Sequence, residues 1–310
     1  MENNPQIREN DSSDYRPEDL IAQILLNLPS KSVAKLIVVS KLWSSIIRSR
    51  SFIDLCQDLD KVVVSNPSTG QFLVLPKLNT RRRRISRFFG YDPIEDEYKV
   101  LCMTVLQVPY NYGPVVSEEH QVFTLGGDQK KKEETWRMIK CKLRHCPATQ
   151  GICIDGVVYY GAWSNSKNRG FLIVGFDVRL EEFILVKLPD GVINFSSDTE
   201  LVNYQRKLAL ANLSYKGKFE LWVLDRQEWS KISVVVPSWN NLVGRSLFYC
   251  RGAISSGEFI FTPLLSAWAS VIIIYDRKEE IARRVEIEGI EDRPHYMKVF
   301  LDHVECPIFL

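Results

Sequence analysis

A spacing of about fifty residues constrains this chain more than any other feature. An Asp recurs at positions 177, 225 and 276, which are 48 and 51 residues apart, each time closing an apolar run and opening a polar turn. The three stretches are FDVRLEEFILVKLP (Phe176–Pro189), VLDRQEWSKISVVVP (Val223–Pro237) and IYDRKEEIARRVEIEG (Ile274–Gly289), the last with Gly where the others have Pro. An earlier copy, VSNPSTGQFLVLP (Val64–Pro76), carries Asn66 in place of the Asp. Trp136, Phe183, Trp229 and Ile281 follow in step, spaced by 47, 46 and 52.

From Lys61 onward the chain reads as short β-branched and aromatic runs separated by Gly, Asn, Asp and charged turns, the pattern of strands. Such runs lie at Val62–Val64, Phe72–Leu75, Tyr98–Val105, Gln121–Leu125, Val157–Tyr160, Phe171–Phe176 and Ile272–Tyr275. A period near fifty in an all-β chain is that of a kelch-like β-propeller, with one four-stranded blade per repeat. Four nearly complete blades are expected at 86–142, 149–189, 199–237 and 247–289, with Asp155-Gly156 as a tight hairpin turn. The hairpin at 62–76 makes half a blade, which the C-terminal strand Met297–Val304 would complete. Five blades are expected, with six as the alternative.

Before residue 60 the periodicity is helical. Leu20, Ile21, Ile24, Leu25 and Leu28 draw one apolar stripe behind Pro17, whose missing N–H is harmless in a first helical turn. Glu18 and Asp19 suit the positive end of that helix. Pro29 closes it. Ser30 or Ser32 can cap a second helix bearing Val33, Ala34, Leu36 and Ile37, and a third follows with Leu42, Trp43, Ile46 and Ile47. The expected organisation is α+β and multidomain: a disordered segment at 1–14, a small all-α domain at 15–59 and an all-β domain at 60–310. A helical piece this small needs a partner or a neighbour for firm stability.

Composition excludes little and favours no special chemistry. Net charge is +2 with 25% charged residues, so no global field points to nucleic acid. The first thirty residues lack the apolar stretch of a signal peptide, and no run approaches the length of a membrane span, so an intracellular protein without a membrane partner is expected. Cysteines at 56, 102, 141, 146, 153, 250 and 306 contain no C-x-x-C pair. Cys141, His145 and Cys146 lack a fourth ligand for zinc, so neither metal nor other cofactor is expected. Phosphate-loop, zinc-protease and nucleophile-elbow patterns are absent, and no enzyme is expected.

Few residues stand out as sites. Asp177, Asp225 and Asp276 are expected to bond the backbone of their own turns rather than to form a carboxylate cluster. Arg81–Arg84 with Arg87 reads first as a solvated loop, and second as a phosphate contact or nuclear import signal. Trp43, Trp136, Trp163, Trp222 and Trp229 are expected in cores. Trp239, among Pro237, Ser238, Asn240 and Asn241, is expected to be an exposed aromatic that contacts a protein substrate.

PEDLIAQILLNLPSKSVAKLIVVSKLWSSIIRSRSFIDL (Pro17–Leu55) resembles an F-box along its whole length, with landmarks at Pro17, Leu20, Ile24, Leu28-Pro29, Lys31–Val33, Val39–Lys41, Trp43 and Phe52. Arg16 stands where Leu is usual, and Ile37-Val38 where Arg-Cys is frequent. GYDPIEDEYKVL, HQVFTLGGDQKKKEETWRMIKC and GICIDGVVYYGAW resemble the type-three F-box-associated domain of plant F-box proteins. The resemblance implies a non-catalytic substrate receptor of an SCF-type ubiquitin ligase. Its F-box would dock on a Skp-type adaptor, and through it on cullin and RING subunits, while the β domain holds an unknown protein substrate. The surplus of apolar side chains on so small a helical piece agrees with a docking face. That face is expected at Pro17, Leu20, Ile24, Leu28, Pro29, Val33, Val39 and Trp43, although Trp43 and Ile47 suit an interior equally. Two alternatives remain: a degenerate F-box protein acting as a plain interaction module, and a nucleic-acid binder using the Arg81–Arg84 loop.

Overall fold

The computed structural model describes residues 62–66, 71–80, 84–105, 117–125, 135–164, 170–190, 199–214, 216–244, 246–254, 256–263, 271–287 and 301. The chain divides into two compact units, Met1–Leu78 with Glu305–Leu310, and Asn79–Val304. The helices expected over 17–55 lie outside the described residues, as does all of the strand expected over Met297–Val304 except Leu301.

In the first unit the described segment is a hairpin of β1 (Val63–Asn66) and β2 (Gln71–Val74), paired antiparallel with Val63 opposite Val74. The Leu75 N–H extends the ladder to the Val62 carbonyl at 2.8 Å. Val62 and Val64 are buried while Val63 is exposed, the alternation that a half-buried strand requires.

The second unit is a run of antiparallel meanders. The first holds β3 (Arg84–Asp92), β4 (Glu97–Val105), β5 (Ser117–Leu125) and β6 (Arg137–Ile139). The second holds β7 (His145–Pro147), β8 (Ile152–Ile154), β9 (Val157–Ser164), β10 (Phe171–Asp177) and β11 (Phe183–Val186). β12 (Thr199–Tyr204), β13 (Lys207–Ser214), β14 (Lys218–Asp225) and β15 (Glu228–Val235) form the third. A five-residue helix, α1 (Trp239–Val243), then leads to β16 (Phe248–Ala253), β17 (Phe259–Pro263), β18 (Val271–Asp276) and β19 (Ile281–Glu286). With the hairpin, these are five antiparallel sheets consistent with propeller blades. β13 also pairs with β16, Leu213 opposite Tyr249 and Ser214 opposite Phe248, so the third and fourth meanders share one continuous sheet.

One departure from a plain four-strand blade has a local cause. The inner edge of the second meander is split because Ala148 and Thr149 both send their N–H to the Gly161 carbonyl, while the Thr149 hydroxyl oxygen takes the Gly161 N–H at 2.8 Å. The extra residues break the ladder as a bulge does. Asp155 and Gly156 both have positive φ, 48° and 83°, which is the two-residue turn expected between β8 and β9.

Hydrophobic cores lie between successive sheets. Phe88, Leu101, Met103 and Val122 of the first sheet meet Val158, Tyr160, Val174 and Phe176 of the second. Ile154, Phe171 and Ile173 meet Leu201, Leu208 and Leu210. Between the third and fourth, Phe219, Leu221 and Val234 pack with Phe248, Phe259, Phe261 and Ile273. The first two sheets come so close that a Cβ on Gly90 would stand 2.6 Å from Val178 and 2.7 Å from Val158. Only glycine fits that contact.

The repeated Asp residues end the next-to-last strand of their meanders. Asp177 Oδ1 accepts the N–H groups of Arg179 and Leu180, and Asp276 Oδ1 those of Lys278 and Glu279. Asp225 differs, because its carboxylate receives Lys207 Nζ at 2.6 Å from the neighbouring strand. Trp229 and Phe183 fall within the outer strands β15 and β11, and Ile281 opens β19.

Candidate functional site

Strands alternate in direction through each meander, so the connection between second and third strands emerges at the end opposite the other two turns. The turn end carries several ion pairs. Arg206 of the β12–β13 turn pairs with Asp155 of the β8–β9 turn at 2.5 Å, joining adjacent sheets. Glu181, in the β10–β11 turn, receives Lys99 Nζ at 2.9 Å and also Arg137, both from the first sheet. Burial alone would raise the Glu181 carboxyl, but the hydrogen bonds from Arg137 and Lys99 overcome it and hold it below the usual value. Arg283 reaches Glu258 at 2.9 Å.

A polar string is buried between the first and second sheets. The Ser117 hydroxyl donates to the His145 carbonyl at 2.9 Å and lies 3.1 Å from His120 Nε2. His145 Nδ1 stands 2.8 Å from the Leu143 carbonyl and must carry a proton to bond there, which leaves Nε2 to accept from the Tyr160 hydroxyl at 2.7 Å. Met103 Sδ lies 3.7 Å from the same hydroxyl. Burial and the neighbouring His145 push His120 down to about 4, and burial lowers His145 against the pull of the Leu143 carbonyl. Burial also lifts Tyr160 well above its ordinary value. Neutral, sealed groups with satisfied partners suit architecture better than catalysis. Cys102 and Cys250 are pushed up to about 12 by burial, so both thiols stay protonated and inert.

The expected site residues fare unequally. Pro17, Leu20, Ile24, Leu28, Pro29, Val33, Val39 and Trp43 lie outside the described residues, as do Arg81–Arg83; Arg84 opens β3. Trp239 is not the exposed aromatic expected. It begins α1 at 4% exposure, packed edge-on against Phe248 and Phe261 at ring-centroid distances of 5.7 and 5.2 Å. The positive-φ Gly217 makes the room, since a Cβ there would lie 2.6 Å from that of Trp239. Trp163 corrects the expectation in the other direction. Expected in a core, it is 45% exposed near the end of β9, with one ring edge on Phe171 at 5.2 Å and 87°. Sequence offered one hint: Trp163 precedes a polar connection, SNSKNRG, at a strand end.

Comparison with known proteins places the whole arrangement. Residues 5–304 match the F-box associated beta propeller domain. An F-box/kelch-repeat protein of Arabidopsis thaliana is 36% identical, with 97% of this chain and 95% of that protein covered. The chain belongs to the F-box-associated β-propeller family. A putative F-box protein from the same plant is 34% identical across 97% of the chain and 96% of its own length. Family membership makes this an F-box protein, and proteins of that family serve generally as non-catalytic adaptors. The solved structure of a Bacteroides ovatus xyloglucan PUL GH43B protein overlays with a TM-score of 0.31 at 14% identity, covering 70% of this chain and 44% of the other, a likeness too slight to argue from. No helix among the described residues is long and apolar enough to cross a membrane.

Proposed function

We propose that this F-box protein is the substrate-receptor subunit of an SCF-type ubiquitin ligase. The F-box at 15–59 binds a Skp-type adaptor through Pro17, Leu20, Ile24, Leu28, Pro29, Val33, Val39 and Trp43. The domain at 60–310, a propeller of five blades, binds a protein substrate inside the cell. The single observation that supports this reading is the family match, whose span, residues 5–304, includes the F-box-like stretch Pro17–Leu55 as well as the sheets. No chemical step falls to this chain; its part is to hold a substrate near the transfer machinery.

Co-purification with a Skp-type adaptor tests the reading. Wild type should form a complex at micromolar concentration, and Leu20→Asp should abolish it by placing a carboxylate in an apolar interface, at a cost of roughly 2–5 kcal/mol. Melting of the β domain should be unchanged. A well-folded protein that captures no adaptor would reject the ligase role. In that case Arg16 and Ile37-Val38, which depart from the common F-box pattern, would support a plain interaction module instead.

A further inference from the structure

Between β6 and β7 the chain carries Lys140, Lys142 and Arg144, all exposed. The alternate residues turn inward and are pinned. Leu143 packs on the core between the first two sheets, Cys141 Sγ lies 3.3 Å from the Leu143 carbonyl, and His145 is sealed with both ring nitrogens engaged. The stripe is therefore presented on a fixed backbone. None of the three cations has an ion-pair partner among the described residues, whereas Lys99, Arg137, Arg206, Lys207, Arg251 and Arg283 all do. No Asp or Glu occurs from Thr135 to Ile154, nor from Gly156 to Phe176. The second sheet's strands β7 and β9 thus bring no neutralising charge; β5 carries Glu118 and Glu119, and Glu119 accepts from the Thr80 and Thr104 hydroxyls at 2.5 and 2.9 Å.

The stripe runs into the exposed indole. β7 pairs with β9 so that Cys146 faces Trp163, and Arg144, two residues before Cys146, shares that face. Trp163 rests edge-on against Phe171, so its rotamer is held while much of its surface meets water. A positioned tryptophan beside unmatched cations is the composition of a binding hot spot. We infer that Lys140, Lys142, Arg144 and Trp163 form a docking strip for an extended acidic peptide segment of the substrate. This rests on the receptor reading above and names the chemistry that the receptor selects.

Spacing and chemistry favour a peptide. Alternate side chains of an extended peptide recur about every 6.6–6.8 Å along one face, and Lys140, Lys142 and Arg144 likewise stand at every second residue. Acidic groups at that interval would meet successive cations, while an apolar residue at the end covers the indole. Single-stranded nucleic acid is held by a succession of aromatic platforms, and this strip has one.

Fluorescence anisotropy on the full chain, mixed with adaptor, tests the strip. The probe is a fluorescein-labelled peptide of alternating Glu and Ser ending in Leu-Phe, compared with its Lys-for-Glu counterpart and a labelled single-stranded oligonucleotide. The Glu peptide should bind and weaken with salt. The variant K140E/K142E/R144E should lose on the order of tenfold or more in affinity and gain binding to the Lys peptide. Trp163→Ala should lose several-fold. Both variants should capture adaptor like wild type. The inference is overturned if the Glu peptide does not bind, or binds the charge-reversed variant equally well. It is overturned too if the oligonucleotide binds more tightly through the same residues. Peptide binding that persists in a protein unable to hold adaptor would remove the ligase role and leave the strip standing.

Discussion

Between the first and second sheets the chain buries Ser117, His120, His145 and Tyr160 in a hydrogen-bonded string; between the third and fourth it buries Phe219, Phe248, Phe259, Phe261 and Trp239 edge to face. Both junctions exclude water, yet they hold by different means. Edge-to-face aromatics gain mainly from apolar area removed from water and tolerate small shifts. The polar string gains little net energy and demands that every donor find its acceptor, because a buried group left alone costs more than its bond contributed. The first junction, beside its apolar core, therefore carries a polar string that fixes geometry and responds to pH, while the second is held by apolar packing that does not.

The largest effect should come from the aromatic junction. Phe261 is fully buried and touches both Phe219 and Trp239, so Phe261→Ala should destabilise by about 3–5 kcal/mol, read as a fall in denaturation midpoint. Acid should come second, and act at the polar junction rather than at the aromatic one. Folded His120 titrates near 4, below the 6.5 of an unfolded histidine, so the unfolded chain takes up the proton first. Stability is then complete above pH 6.5 and drains as pH falls toward 4, by on the order of 3 kcal/mol from this residue. Denaturant titration across that range measures it, and a flat profile would show that the imidazole is not sealed.

Tyr160→Phe should cost about 1–3 kcal/mol by leaving His145 Nε2 without its donor, with no change at the far junction in hydrogen exchange. Trp163→Ala, outside both junctions, should change stability by less than about 0.5 kcal/mol in a thermal melt.

The blade boundaries were legible because three of the repeats end the strand before the outer one on the same signal, an Asp that ties down its own turn at 177 and 276. Asp225 kept the spacing while its carboxylate went to Lys207, so the repeat survived a change of partner. What escaped the sequence was contact across repeats. His120 and His145 lie 25 residues apart in unrelated contexts, and no periodicity joins them. The polar neighbours of Trp239 argue for a loop, yet Gly217 on another connection opens the space that buries it. Trp163 sits in an apolar run that reads as core, and its place at the strand end, with Phe171 against one ring edge, leaves it in water. Burial of an aromatic depends on what the third dimension brings over it.

The main-chain ladder between β13 and β16 carries a mechanical consequence. Among the described residues, hydrogen bonds across the other junctions each involve a side chain, which can slide, but these two meanders are stitched by peptide groups whose separation would expose bare donors and acceptors. They should open together. Amides of Lys207–Ser214 and Phe248–Ala253 should exchange in concert, and a protease nick in the segment between them should leave the two fragments associated.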